Sequence, residues 1–436
     1  MNITSRIERK HAYLLAAFAS VAVIVVYASL IFPLSLNIPY RDDFQDILIF
    51  VVEFSQSTTL VDAMSAFLHQ HADHLTYSSR IFFYLTFLLQ GEVDFRTLVV
   101  ASHLGLLALI ALFYLQSNSD SKLKPLLLVC ICLLLLQPRA HGMILWPMAS
   151  FQYFFVYAYC LAALFLLHQS GKMCFSAAIV CGILASFCMS TGQLVWVFGA
   201  ISLVLRRKDI GKFYPVYLTT WIFAAVLVLI VFHWIFVPVW PTHLLLNAVL
   251  ENPVVFVQFL LATLGSAVGM GSLLASQILG CIALPVSLAF LKEGWKKGLT
   301  PLHYFLLFSL ASIGIIVLGR VLGYVIFDLK MEVHGLKPRY SFSSQMLWVT
   351  LFMLAVNRLQ VLDFKKASLL LAGCTVFSIC VYSAFLPQVE KHQQIRVSIF
   401  NKNGLASIDK QYPTEPTLKK AAELDIYTPP PRPYEH

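Results

Sequence analysis

Charge is the scarcest commodity in this chain: only 12% of its 436 residues are Asp, Glu, Lys or Arg, while 59% are hydrophobic. A soluble domain carries about a quarter charged residues, so water is excluded as the main solvent. Gly-rich phosphate loops are lacking too, because the glycines at 265, 269 and 271 follow no strand, and a nucleotide-binding fold is not supported. No internal repeat is visible, and charges within the apolar runs are few, which argues against a transporter. The nine cysteines all lie in or beside apolar runs, so neither a disulfide framework nor a CxxC metal site is indicated. The first apolar run has no convincing small-residue cleavage site before Arg41 and reads as a retained span rather than a leader.

What is present is a succession of apolar runs. Tyr13 to Pro33 and Phe213 to Pro238 are long enough to cross a hydrocarbon core about 30 Å thick as helices. Helix is required there because unpaired backbone groups in lipid cost several kcal/mol, and no barrel-like alternation is seen. The fold class expected is all-α: a polytopic transmembrane bundle of about eleven spans, near residues 12–34, 95–116, 125–138, 151–169, 173–189, 191–205, 213–238, 272–291, 303–325, 340–357 and 367–386. With Arg6, Arg9 and Lys10 on the cytoplasmic side, alternation puts Lys122, Lys124, Lys172, Arg206 to Lys208, Lys212, Lys292, Lys296, Lys297, Arg358, Lys365 and Lys366 on that side too. This is the positive-inside rule. The net charge of +9 therefore reports membrane topology and not a nucleic-acid partner.

Two short apolar runs, Ser79 to Gln90 and Pro253 to Ser266, would break that alternation if they crossed and are expected as interfacial or re-entrant helices on the outer side. The first outer loop, residues 37–94, is expected to contain interfacial amphipathic helices in DILIFVVEF and LVDAMSAFL. The transmembrane domain is expected to end at residue 386. Residues 387–436 then form a polar, proline-containing outer tail with partial order at most.

Three clusters could carry chemistry. Asp42 and Asp43 stand side by side in YRDDF just past the first span. Neighbouring carboxylates repel, so one pKa rises or a cation is shared, which suits a general base or a ligand set for a divalent ion such as Mg or Mn; a solvated loop start is the plainer alternative. His69, His71 and His74 lie within six residues but match no recognised metal spacing, while Arg80 enters an apolar run, where arginine is costly without an anion such as a lipid phosphate. Lys337, Arg339 and Tyr340, preceded by Arg320, gather cations where a lipid phosphate head would lie, although Lys337 and Arg339 could equally anchor a span at the head groups. Trp146, Gln152 and Tyr153 before the fourth span suit an interfacial belt more readily than a sugar-stacking site.

YRDDF after span one, then HADHLTYSSRIFFYLTFLL, STGQLVWVFGA, GR and KPRYSFSSQMLW together resemble bacterial membrane glycosyltransferases of the GT-C type. The chain departs from that pattern where Ala72 and Asp73 replace an Asn-Glu pair and where Pro338 replaces a serine. The resemblance implies an enzyme of the bacterial inner membrane, with its N-terminus cytoplasmic and its C-terminus periplasmic. It implies a polyprenyl-phosphate-linked sugar as donor and a lipid, glycan or protein as acceptor, met among membrane lipids on the outer face. Asp42 or Asp43 would be base or metal ligand, and Arg80, Arg320 and Arg339, with Tyr340, His74 and Gln152, would handle the substrate and its lipid phosphate. A polymerase, ligase or flippase of surface polysaccharide is the alternative; it needs the arginines but not the acid pair.

Overall fold

The computed structural model describes residues 3–70, 75–117, 124–237, 242–327, 335–359, 364–405 and 414–434. Among them there are helices and connecting turns and no strand. Among the described residues eight helices are long and apolar enough to cross a membrane: Tyr13–Leu34, Phe95–Leu115, Lys124–Ile144, Pro147–Leu167, Arg207–Ile235, Leu273–Lys297, Pro301–Val321 and Lys365–Lys402. The other three expected spans are also helices. Lys172–Ser186 and Ser190–Leu205 are short, and Pro338–Arg358 is diluted by serines and a glutamine.

In chain order the helices are α1 (Ile3–Ile31), α2 (Phe50–Ser55), α3 (Leu60–Leu68), α4 (Tyr77–Gln90), α5 (Phe95–Leu115), α6 (Lys124–Leu135), α7 (His141–Ile144), α8 (Pro147–Leu167), α9 (Lys172–Ser186), α10 (Leu194–Leu205), α11 (Arg207–Ile210), α12 (Tyr214–Ile235), α13 (Thr242–Glu251), α14 (Pro253–Gly265), α15 (Leu273–Lys297) and α16 (Pro301–Phe327). After them come α17 (Pro338–Arg358), α18 (Phe364–Asn403) and α19 (Thr414–Glu423). α8 is apolar on every side and is the core, with α5, α9, α10 and α16 packed around it. By contrast α12 leaves Phe223, Leu227, Ile230 and Trp234 exposed, the signature of a helix solvated by hydrocarbon.

Small residues set the tightest approach. A Cβ on Gly265 would lie 1.9 Å from the Ser276 carbonyl oxygen, and one on Gly280 2.0 Å from that of Leu261, so α14 and α15 form a hairpin only glycine permits. α14 and α4 are the two short apolar runs, here helices of 13 and 14 residues.

The α17 sequence looks too polar for a bundle interior until its hydrogen bonds are followed. Ser341, Ser344, Gln345 and Trp348 recur at three- and four-residue steps and share one face. The Ser344 hydroxyl donates to Leu264 O (2.6 Å) and accepts from the Ala267 N–H (3.1 Å). Trp348 donates to the same Leu264 carbonyl, and Gln345 to the carbonyls of Leu134 and Leu135. Each serves a helix end that lacks its own partner. SFSSQMLW is thus a clamp on the ends of α6 and α14.

The chain beyond residue 386 is where structure and expectation part. α18 continues through Pro387 to Asn403, and residues 426–427 are buried against the first loop. There Val93 N–H donates to Ile426 O (2.7 Å) and the Tyr427 hydroxyl to Asn37 O (2.9 Å). The described part of the tail is a docked cover, because Arg396, Ile426 and Tyr427 find partners that a reading of local polarity cannot see.

Candidate functional site

The first loop leaves α1 through a 3-10 turn and reaches Arg41, whose φ of 52° is in the left-handed region. A non-glycine residue there is strained, and such strain concentrates at functional sites. A π-helical turn, Phe44–Ile49, follows at once, another geometry enriched at such sites. The turn at Arg41 throws the two acids of the pair into different surroundings.

Asp43 is fully buried. One carboxylate oxygen accepts from the Tyr40 N–H (2.9 Å) and the other from the Met148 N–H (3.1 Å). Met148 is in the first turn of α8, a helix whose N-cap residue, Trp146, supplies no capping side chain. Asp43 is therefore a cap delivered from a distant loop, satisfying an orphan donor and meeting the positive end of the helix dipole. Burial raises its pKa to about 7, against the pull of the two N–H bonds and of nearby Arg396. Asp42, half-buried, is left facing the site, within electrostatic reach of Arg339.

Around Asp42 the charge is positive. Lys337 feels Arg339, Arg41 and Arg320 together, and burial with that repulsion lowers its pKa to about 8. Arg41 lies over the rings of Tyr40 (5.1 Å) and Trp146 (5.8 Å). Arg339 donates to the Tyr340 hydroxyl (2.9 Å) and stacks on its ring, so the buried Tyr340 orients the guanidinium. Tyr153, the neighbour of Gln152 in α8, is in reach of both Arg320 and Arg339. α18 adds His392, edge-on to Tyr40 at 5.6 Å, and Arg396, 4.7 Å over the same ring.

The walls are rich in donors and poor in acceptors. Arg339 Nε, Trp146 Nε1 and Gln152 Nε2 are buried and meet no acceptor among the described residues. Buried donors are nearly always satisfied, so an acceptor-rich ligand is the natural complement. Five cations, Arg41, Arg320, Lys337, Arg339 and Arg396, stand against two carboxylates, and the potential attracts an anion.

The divalent cation expected from the acid pair meets no ready-made ligand set among the described residues. Asp43 gives both oxygens to N–H donors, Asp42 sits among cations, and no three His, Cys, Asp or Glu side chains converge among the described residues.

Of the residues singled out from sequence, Asp42, Asp43, Arg320, Arg339 and Tyr340 come together, while Gln152 is buried in α8 beside Tyr153. Arg80 does not. It is 1% exposed and donates to Asp46 Oδ1 (2.9 and 3.2 Å) and to the carbonyls of Ala66, Phe67 and His69, so it ties the loop together rather than facing a ligand. His74 lies outside the described residues. Sequence reasoning missed Asp46 as the partner of Arg80, and Arg396 and His392, which sit in what reads as a tail. It also missed Arg139, whose guanidinium donates to Ser266 O (3.1 Å) and lies 4.4 Å over Phe385. For Arg396 and His392 the one available signal was the cluster KHQQIR, which has no proline or glycine to break a helix.

Comparison with protein-family models, with curated proteins and with solved structures finds no match to the chain.

Proposed function

We propose that this chain is a membrane-embedded glycosyltransferase of GT-C type, which moves a sugar from a polyisoprenyl-phosphate donor to a lipid, glycan or protein acceptor. On this reading the bundle has about eleven crossings, its N-terminus is cytoplasmic, and the first loop and C-terminal tail face the periplasm from a bacterial inner membrane. One observation carries it: a single half-buried carboxylate, Asp42, stands in a ring of cations and unsatisfied N–H donors at the loop end of an apolar bundle.

The chemistry follows from those positions. The Asp42 carboxylate takes the proton of an acceptor hydroxyl, whose oxygen then attacks the anomeric carbon of the donor sugar. The bond from that carbon to the phosphate oxygen breaks, and the phosphate leaves with the electron pair. Arg339, Lys337, Arg320 and Arg41 meet the charge that grows on the leaving group, where fixed donors in a dry site act most strongly. Asp43 positions Asp42 by anchoring the adjacent backbone to α8.

The test is transfer from a panel of radiolabelled undecaprenyl-phosphate monosaccharides in membranes. Asp42→Asn is expected to lower transfer about 10²- to 10⁴-fold, the usual contribution of a general base, while the protein still inserts. Full activity in that variant ends the mechanism, and loss in Arg339→Ala without loss in Asp42→Asn favours a polymerase, ligase or flippase instead.

A further inference from the structure

Two cavities lie along one face of α18, opposite α1. The first, about 570 Å³, is bounded by Val23, Val26 and Leu30 of α1, Leu133 of α6, and Ile379 and Leu386 of α18. The second, about 790 Å³, has Leu34 just beyond α1 on one side and Glu390, Gln393, Gln394, Ser398 and Asn401 of α18 on the other. Residues 375, 379, 382 and 386 of the first and 390, 393, 397 and 401 of the second recur at three- and four-residue steps, so the two cavities succeed each other on the same helix face.

Their chemistry differs. The first is almost wholly apolar and follows α18 from residue 375 to 387, about 18 Å at 1.5 Å per residue, close to one leaflet of a core about 30 Å thick. The second keeps Leu34 and Val397 in a wall that is still mostly apolar, but adds three carboxamides and a hydroxyl, with Glu390 and Lys402 supplying one charge of each sign. Pro387, at the end of the first cavity, has no N–H to give the carbonyl of Ser383, which also lines that cavity.

The second cavity offers an anionic head no net attraction, because its one lining cation, Lys402, is offset by Glu390. The cations of the candidate site lie off other faces of α18, with His392 and Arg396 turned to Tyr40. Carboxamides both donate and accept, as sugar hydroxyls require. Gln393 joins the two regions, since its Oε1 accepts from Arg396 (2.9 Å) while its side chain lines the groove.

We propose that the groove between α1 and α18 binds a glycolipid, with an uncharged, hydroxyl-rich headgroup in the second cavity and a hydrocarbon chain in the first. Binding there does not depend on the transferase reading, because it needs neither Asp42 nor the cations.

The experiment uses the full chain in nanodiscs and two photoreactive lipids with the same diazirine acyl chain, monoglucosyl diacylglycerol and phosphatidylglycerol. The glucosyl lipid is expected to label peptides covering residues 22–34 and 375–402, with competition by unlabelled monoglucosyl diacylglycerol. Filling the apolar part with Ile379→Trp is expected to reduce that labelling. Gln394→Ala combined with Ser398→Ala is expected to reduce it about fivefold, the loss of one or two hydrogen bonds, without changing the phosphatidylglycerol signal. Equal labelling by both lipids, labelling confined to other peptides, or indifference to the two substitution sets overturns the proposal and leaves the groove to bulk lipid.

Discussion

Asp42 and Asp43 are chemically identical and adjacent, yet one left-handed residue before them gives them opposite surroundings. Asp43 spends its oxygens on two backbone N–H groups and carries a proton more readily than a free aspartate because burial disfavours its charge. The folded protein holds that proton up to about pH 7, whereas the unfolded chain releases it near 3.8. Between those values the folded state binds more protons, so this group's contribution to stability falls as pH rises and levels off above 7. Asp43→Asn is expected to remove that slope, and also to cost about 1–3 kcal/mol at every pH because the amide nitrogen cannot accept the second N–H. Thermal unfolding in detergent at pH 5 and pH 7.5 measures both effects. Parallel pH profiles for the two proteins would show that Asp43 does not titrate in this window.

Among the elements, the first loop is where buried polarity does most to define shape. Asp46, at the π-turn, and Arg80, in α4, form an ion pair with 0% and 1% side-chain exposure, and Thr76 adds its hydroxyl to the same carboxylate oxygen. The remaining Arg80 donors hold the end of α3 through Ala66, Phe67 and His69, while Thr59 and Asp62 cap its start in a reciprocal box. Removing one member of a buried pair strands the other. Arg80→Met is expected to destabilise the loop by about 3–5 kcal/mol, and Arg80→Met with Asp46→Leu by distinctly less. Protease susceptibility of residues 50–70 reads the difference. A single substitution as harmless as the double one would show that Arg80 serves a ligand and not the loop.

Across the whole molecule, residues far apart in sequence close the site. Arg396 donates to Ile38 O (2.7 Å) and Leu145 O (3.4 Å), joining the last long helix to the first loop and to the start of α8. Tyr427 completes the cover, buried edge-on to Phe95 with ring centroids 5.5 Å apart. Tyr427→Ala removes a large buried ring, a change worth about 3–5 kcal/mol in a packed core. Faster amide exchange at residues 37–49 and 91–98 is the expected readout. Unchanged exchange there would mean that the tail rests on the loop without supporting it.

Apolar composition alone determined that the chain is helical and built of membrane-length segments, because a run of hydrocarbon side chains leaves the backbone no partner but itself. The spacing of KPRY and of the serines after it, like the paired aspartates past α1, was also visible as a pattern. Tertiary structure alone decided which acid caps a helix and which faces the cations, that Arg80 is matched by Asp46, and that the tail belongs to the site. Those outcomes turn on hydrogen bonds between groups 34, 105 and 358 residues apart, and no local periodicity encodes the partner of a buried charge.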